Sequence, residues 1–294
     1  MSTTGSSAQL LLDARAAEAL PASPERLAAA SYDAFTAQSA QEQDLLECEL
    51  HALGRTADAL ALEFQPPYGD GPVQDGDGPV QDGVRLGVSR EEFTAFFARL
   101  GMTEVGAAGG FDPFLHETAE LVPAEDPGAP IELLDVLWPG LVFGELLFAR
   151  AGVRVRAGAR VAEPGRADAS PVYWAFRRRG RRPVDLSQGW GSDAQGSTSH
   201  RMDFRTADGD RLNVVRTPER LSDHLDRENS CRLTGAEAEE LLRHRCLLRR
   251  PAGQPEPVVD SPEAADFWPF DWTLPEPAAC SPDCRDHGSN WQRP

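Results

Sequence analysis

The stretch GGFDPFLHETAELV, residues 109–122, carries the strongest local structural signal in the chain. Pro113 fixes its own φ and favours an extended conformation for the preceding Asp112. The Asp112 side chain can accept a hydrogen bond from a backbone amide two residues further on, which favours a tight turn. His116 and Glu117 then leave the turn on opposite faces of an extended segment. The pattern predicts a turn that leads directly into a β-strand.

Short apolar runs around this turn predict a small β-rich unit over residues 103–156. Strand candidates lie at 117–122 and 131–136, and a Pro- and Asp-containing turn separates them. Further along the chain, Val153 and Val155 alternate with arginines, which is the period-two pattern of a half-exposed strand.

Two helices are predicted before the β-rich unit. Ser23 and Pro24 favour a helix start, and no further proline interrupts residues 23–65. The apolar positions of this helix recur at alternating intervals of four and three residues: Leu46, Leu50, Leu53, Ala57 and Leu60. Such a narrow seam predicts pairing with another helix, either in a coiled-coil homodimer or on the same chain. A second, short helix is predicted between a capping box at Ser89 and a left-handed stop at Gly101.

Charge is distributed unevenly along the chain of 294 residues. It has 47 acidic residues and 29 basic ones, all of them arginine, and a formal net charge of −18. Residues 1–150 contain 7 arginines and 25 acidic residues, whereas residues 151–250 contain 20 arginines and 14 acidic residues. The acidic bulk argues against general nucleic-acid binding, which needs concentrated positive charge.

The composition also excludes several classes of function and location. Because lysine is absent, the chain has no lysine nucleophile, Schiff-base lysine or P-loop lysine. No apolar run reaches the roughly 18 residues of a membrane span, and the first residues lack the pattern of a secretory signal. We therefore expect a cytoplasmic protein with no membrane partner.

Shifts in composition divide the chain into six predicted parts. A duplicated DGPVQDG motif at 70–76 and 77–83 marks a linker, because Gly, Pro and Asp at this density disfavour helices and central strands. After residue 156, more β-rich sequence and two further helices are predicted. The predicted fold class is α+β with a disordered arm (1–22), a long helical stalk (23–65), a linker (66–88), a short helix with a small β head (89–156), an Arg-rich extension (157–250) and a Pro-rich, acidic, irregular tail (251–294).

Three motifs occur in the order that is typical of one known family. FFARLGM, residues 96–102, is similar to the end of that family's last helix, and residues 109–122 are similar to its G-x-x-F-[DN]-P-x-x-H-x-A pattern. GLVFGELLFARAGVRV, residues 140–155, is similar to its closing β segment. Residues 93–155 therefore resemble the head of the GrpE family, the nucleotide exchange factors of DnaK-type heat-shock chaperones. Residues 45–60 resemble the family's helix more loosely.

The resemblance implies a non-enzymatic co-chaperone of the stress response that needs no cofactor. Its helix would form a homodimer, and its β head would bind a DnaK-type chaperone and promote ADP release. The chaperone-binding residues implied by the resemblance are Gly101, Phe111, Asp112, Pro113, Phe114, His116, Glu117, Gly140, Leu141, Phe143 and Arg150. The implied dimerisation residues are Leu46, Leu50, Leu53, Ala57 and Leu60.

Departures from the family pattern leave an alternative open. The family carries arginines at the positions of Leu146 and Ala149, although Arg150 could replace the second of them. The alternative is a diverged scaffold without exchange activity, whose Arg-rich extension binds another protein or nucleic acid. The arginine run at 177–182 follows three aromatic residues and is open to three interpretations: nucleic-acid binding, contact with a partner protein or with the acidic part of the same chain, or a solvated strand end without a role.

Residue types suited to metal binding and catalysis occur in the second half of the chain. Cys280, Cys284 and His287 are potential ligands, but their spacing is unusual for zinc, and no metal site is predicted. His200 and Asp203 lie near two serines, but no nucleophile-elbow pattern surrounds them, so no catalytic residues are predicted. An active site in residues 157–250 would require a buried pocket with converging ionisable groups.

Overall fold

The computed structural model describes residues 30–66, 87–107, 109–181, 183–184, 200–214, 235–250 and 274–275. These residues form helices and mostly antiparallel sheets, which confirms the predicted α+β class. The predicted arm and nearly all of the predicted linker and tail lie outside the described residues. None of the helices in the described part of the chain combines the length and the apolar character needed to span a membrane.

Three of the four described helices begin after a capping serine: Ser31, Ser39 and Ser89. The helices are α1 (Tyr32–Thr36), α2 (Ala40–Ala61), α3 (Arg90–Arg99) and α4 (Gly235–His244). Ser39 with Glu42, and Ser89 with Glu92, form reciprocal capping boxes at the starts of α2 and α3. Gly101 follows α3 with a φ of 86°, which is the left-handed stop predicted for it.

The predicted single helix over 23–65 is corrected to two helices after residue 30. Ser39, between α1 and α2, has an extended backbone with a ψ of 156°, which interrupts the helical hydrogen bonds. The Ser39 amide donates to the Glu42 carboxylate at 2.8 Å, so this position starts a new helix. Residues 23–29 lie outside the described part of the chain.

The strands form two larger sheets and one short pair. They are β1 (Thr103–Val105), β2 (His116–Pro123), β3 (Glu132–Trp138), β4 (Gly140–Phe143), β5 (Leu146–Ala149), β6 (Ala151–Ala157), β7 (Val172–Tyr173), β8 (Pro183–Val184), β9 (Phe204–Thr206), β10 (Gly209–Leu212) and β11 (Leu274–Pro275). The first sheet has the order β1–β4–β5–β9–β10–β11 and is antiparallel. In the second, β6 lies between β2, which is parallel to it, and β3, which is antiparallel. β7 and β8 form the short parallel pair.

The first sheet joins sequence from both sides of the predicted boundary at residue 156. Leu146 in β5 pairs with Phe204 in β9, and the Leu147 amide donates to the Asp203 carbonyl oxygen at 2.8 Å. The expectation of a separate β head is corrected accordingly. Without β9, β5 would be an edge strand with unpaired backbone groups, and β9 satisfies part of that edge.

The apolar seam of α2 is buried within the chain. Leu46, Leu50, Ala57 and Leu60 are buried in one core, and Leu53 packs against it partly buried. The aromatic members of that core come from α1, α3 and the first sheet: Phe35, Phe93, Phe96, Phe97, Phe143, Phe148 and Phe204. The seam therefore pairs with the same chain, and a homodimer through this face would require the core to open.

Candidate functional site

Most residues implied to bind a chaperone are buried in the chain's own interior. Phe111, Asp112 and Pro113 are half-buried, and Gly101 is exposed. The buried ones are Phe114, His116, Glu117, Gly140, Leu141, Phe143 and Arg150. As a group they do not form an exposed surface.

The turn at Asp112 has the hydrogen bonds that its sequence predicts. Asp112 Oδ1 accepts a hydrogen bond from the Phe114 amide at 2.9 Å. The Asp112 amide donates to His116 Nδ1 at 2.9 Å, so the ring proton is on Nε2, which lies 3.4 Å from the Gly106 carbonyl oxygen. Burial lowers the pKa of His116. His116 therefore fixes the turn as a neutral, hydrogen-bonded side chain.

Glu117 is a buried carboxylate that binds the predicted arginine run. Arg178 Nη2 donates to Glu117 Oε2 at 2.9 Å, and Arg178 Nη1 lies 2.8 Å from Asp58 Oδ1 on α2. Burial opposes ionisation of Glu117, but the charge of Arg178 outweighs it and holds the pKa of Glu117 below its ordinary value. Arg181 Nη1 donates to the Thr118 carbonyl oxygen at 2.6 Å. Arg178 and Arg181 therefore contact the same chain, which is one of the alternatives that the sequence leaves open for the run.

A second cluster of buried charges surrounds Asp203. Arg201 Nε donates to Asp203 Oδ1 at 2.7 Å, and Arg245 Nη2 donates to Asp203 Oδ2 at 3.4 Å. Arg150 Nη2 lies 3.8 Å from the same Oδ2, and Arg150 Nε donates to the Phe114 carbonyl oxygen at 3.0 Å. Three guanidinium groups thus share one carboxylate in the interior.

A cavity of about 50 Å³, partly open to solvent, lies where the two clusters meet. We call it the arginine pocket, because five arginines line it: Arg55, Arg150, Arg178, Arg201 and Arg245. His51, Asp58 and His200 are its other ionisable lining residues, and aromatic side chains complete the wall. The volume suffices for several water molecules or one tetrahedral oxyanion.

Three of the arginines that line the pocket have buried donors without partners among the described residues. These donors are Nη1 and Nη2 of Arg150, Nη1 of Arg201 and Nε of Arg245. Burial lowers the pKa of Arg150 well below its ordinary value, and the charges of Arg245 and Arg201 lower it further. Burial also lowers the pKa of Arg201, to about 10. Since arginine stays protonated in proteins, these shifts express an electrostatic cost that an anion would relieve.

The backbone is strained at the same place. Among the described residues, the non-glycine residues with positive φ are Trp174 at 58°, Asn213 at 52° and Arg245 at 58°. Trp174 and Arg245 line the pocket, and the Asn213 amide donates to Asp203 Oδ1 at 2.6 Å. Left-handed backbone costs about 1 to 2 kcal/mol for a residue with a Cβ, and such strain concentrates at functional sites.

His200 contributes a neutral imidazole to the pocket wall. Its ring stacks on Phe148 with centroids 5.4 Å apart. Burial, followed by the charge of Arg245, lowers the pKa of His200 to about 3. The ring therefore adds no positive charge at neutral pH, and its Nε2 has no hydrogen-bond partner among the described residues.

The sequence indicated only some members of this site. The family resemblance implies Arg150 as a chaperone contact, Arg178 lies in the arginine run, and His200 and Asp203 lie near two serines without a catalytic pattern. His51, Arg201 and Arg245 were missed. The Arg201-x-Asp203 spacing was the available signal, because alternate residues of an extended segment share a face.

Metal ligation has no support in the described residues, which contain no group of three or more His, Cys, Asp or Glu that could hold a metal ion. Cys280, Cys284 and His287 lie outside the described residues.

Comparison of the chain with protein-family models, with curated proteins and with solved structures found no match. Its function is therefore argued from the arginine pocket.

Proposed function

We propose that the protein binds an anionic group in the arginine pocket, and that its α+β body is the scaffold for this site. The observation that carries the proposal is Arg150. Its side chain is fully buried, yet neither terminal guanidinium nitrogen has a hydrogen-bond partner among the described residues. A buried donor without a partner is costly, and more so when it is charged. An anion in the cavity would accept from these nitrogens and offset the cost.

The surrounding charges favour an anion over water as the occupant. Asp203 is already hydrogen-bonded to Arg201 and Arg245, so it compensates Arg150 only from 3.8 Å. Water could satisfy the donors but would not balance the charge. Guanidinium groups bind carboxylate and phosphate oxygens through paired N–H donors, which suits an anionic ligand.

This proposal develops the alternative in which the Arg-rich extension binds a partner. The ligand would be a small anion, or the anionic group of a larger molecule that remains outside the opening. Neither requires catalysis, although binding would also be the first step of a reaction in this pocket.

Nucleotide exchange on a DnaK-type chaperone, through a GrpE-like head and a homodimeric stalk, stays a prediction from the sequence resemblance. Burial of most implied contact residues and the pairing of β5 with β9 favour the alternative without exchange. Release of labelled ADP from a DnaK-type chaperone measures this directly. We expect no acceleration at saturating protein, and an acceleration would restore the exchange function.

A ligand-induced shift in thermal unfolding tests anion binding. Phosphate, sulfate and acetate are compared with chloride at equal ionic strength, so that screening by salt is the same in each sample. Specific binding to the folded state raises the unfolding temperature as ligand concentration increases. We expect such a rise for at least one of the three anions, and no rise with any of them would refute the proposal.

Two variants locate the effect in the pocket. Arg150→Met removes the buried charge, and Arg55→Gln removes an arginine that packs over the Phe176 ring at 3.9 Å. Arg156→Gln is the matched control, because Arg156 is half-exposed and pairs with Glu132 at the surface. We expect the stabilisation by anions to fall in the first two variants and to persist in the control. Equal stabilisation in all three would place the binding elsewhere.

A further inference from the structure

The buried charges around the arginine pocket divide into a balanced set and an unbalanced one. Arg178 and Arg181 lie close to the carboxylates of Glu117 and Asp58, so that set is neutral. Arg150, Arg201 and Arg245 share the single carboxylate of Asp203. The second set therefore has two uncompensated positive charges, and Arg55 at the pocket wall adds a third.

The free donors are too many for one carboxylate, and they come from three different side chains. Four buried nitrogens of Arg150, Arg201 and Arg245 lack partners among the described residues. A carboxylate has two coplanar oxygens, and the paired N–H donors of a single guanidinium group can bind both of them. A tetrahedral oxyanion presents three or four oxygens in different directions, so it can accept from three side chains at once. The cavity volume of about 50 Å³ admits one such group.

On the basis of the proposed function, we infer that the anionic group is a dianionic tetrahedral oxyanion, carried by a phosphate monoester or by free phosphate. Two negative charges would neutralise the Asp203 cluster and leave only Arg55, which stacks on the Phe176 ring, whereas a carboxylate would leave one guanidinium of the cluster uncompensated as well. This difference matters because a buried charge has lost its contact with water, so leaving it uncompensated destabilises the protein.

The inference predicts a pH dependence that originates in the ligand. A phosphate monoester has a second pKa near 6, so its dianion fraction rises about tenfold between about pH 5 and about pH 7. Sulfate remains a dianion throughout this range and reports on the protein alone. The titratable and charged protein groups that face the pocket are His51, Arg55 and Asp58 on α2, Arg150 after β5, and Arg178, His200, Arg201 and Arg245 on the loops opposite. Any titration among them would change sulfate and phosphate binding together.

Titration calorimetry of the full chain with glycerol phosphate, inorganic phosphate, sulfate and acetate tests the inference. Near neutral pH we expect both phosphates and sulfate to bind at least about tenfold more tightly than acetate, a difference of about 1.4 kcal/mol. Relative to sulfate, glycerol phosphate should bind about tenfold more tightly at about pH 7 than at about pH 5. The two phosphates compared with each other separate a free ion from a monoester as the ligand.

The outcomes distinguish the inference from the proposed function. Two outcomes would overturn the dianion inference but leave anion binding standing. One is equal affinity for acetate and sulfate. The other is an affinity for glycerol phosphate that changes with pH in the same way as the affinity for sulfate. No binding of any of the four anions would refute both the inference and the proposed function. The pH comparison uses the unmodified protein, so it does not depend on whether the Arg150→Met variant folds. Where that variant folds, we expect its affinity for sulfate to fall by at least about tenfold. An unchanged affinity would overturn the assignment of the dianion to the arginine pocket.

Discussion

Arg150 Nη2 lies 3.8 Å from Asp203 Oδ2, which is close enough for attraction but too far for a hydrogen bond. Both side chains are fully buried, so water screens their interaction little. The Asp203 carboxylate instead accepts hydrogen bonds from Arg201 and from the Asn213 amide. Arg150 is thus only partly compensated, and the cluster as a whole depends on one carboxylate.

Asp203→Asn should lower the free energy of unfolding by about 3 to 5 kcal/mol, because removing one member of a buried ion pair leaves uncompensated charge. Asp135→Asn is the control, since Asp135 is exposed and lies 3.8 Å from a half-exposed Arg154. Its effect should stay below about 1 kcal/mol. Denaturant unfolding measures both, and equally small effects would contradict the burial of the Asp203 cluster.

Glu117→Gln should destabilise the fold by about 3 kcal/mol or more, because Arg178 and Arg181 lose their buried partner. Glu132→Gln provides a surface comparison, since the Glu132–Arg156 pair is 3.2 Å long but exposed. We expect that variant to change stability by less than about 1 kcal/mol. A Glu117 variant as stable as the Glu132 variant would show that Glu117 is not buried as described.

Stability should decrease as the pH falls from about 7 to about 5. Burial, followed by nearby arginine charge, lowers the pKa values of His200 and His244 to about 3 in the folded chain. Their ordinary pKa is about 6.5, so below that pH the unfolded chain binds protons that the folded chain does not. Each histidine should therefore cost about 1.4 kcal/mol of stability per pH unit once the pH is below about 6.5, which amounts to about 2 kcal/mol between about pH 7 and about pH 5.

The variant His200→Gln isolates one of these contributions. Between about pH 7 and about pH 5 the variant should lose about 2 kcal/mol less stability than the unmodified chain. Denaturant unfolding at the two pH values measures the difference. An identical loss in both proteins would mean that His200 is not held neutral in the pocket.

Gly140 is buried at a position where the neighbouring backbone leaves no room for a side chain. A Cβ at Gly140 would collide with the Ala151 amide and approach the Ala149 carbonyl oxygen at 2.8 Å, and both are backbone atoms that cannot swing aside. Gly140→Ala should cost about 1 to 3 kcal/mol in thermal or denaturant unfolding. Gly106→Ala is the control, because nothing lies within 4 Å of its added Cβ. A tolerated Gly140→Ala would contradict the close approach of β4 to the β5–β6 junction.

Local structure was largely predictable from the sequence, since the forces that set it act over a few residues. The Asp112 side chain bonds two residues on, as Asx turns do, and Ser89 forms the expected capping box. The strand predicted at 117–122 is observed as His116–Pro123. The single helix predicted over 23–65 did not account for Ser39. A serine followed three residues later by Glu42 starts a new helix even inside an otherwise uninterrupted helical pattern.

The arginine pocket could not be predicted in the same way, because its members are distant in sequence. Arg150 and Arg245 meet only when β5 pairs with β9 and α4 packs beside them, and no local rule specifies that pairing. Arginine is usually solvated, so the run at 177–182 gave no sign that Arg178 would be buried against Glu117. Chemistry of this kind is visible only after the tertiary contacts are known.

The most direct test of anion binding is a crystal structure of the protein grown with selenate, a tetrahedral dianion whose selenium can be located by anomalous scattering. The account predicts a selenium peak in the arginine pocket, with oxygens within hydrogen-bond distance of Arg150 Nη1 or Nη2 and of Arg201 Nη1. A pocket that holds only water at a selenate concentration saturating in solution, or selenium peaks confined to other arginines, would contradict it.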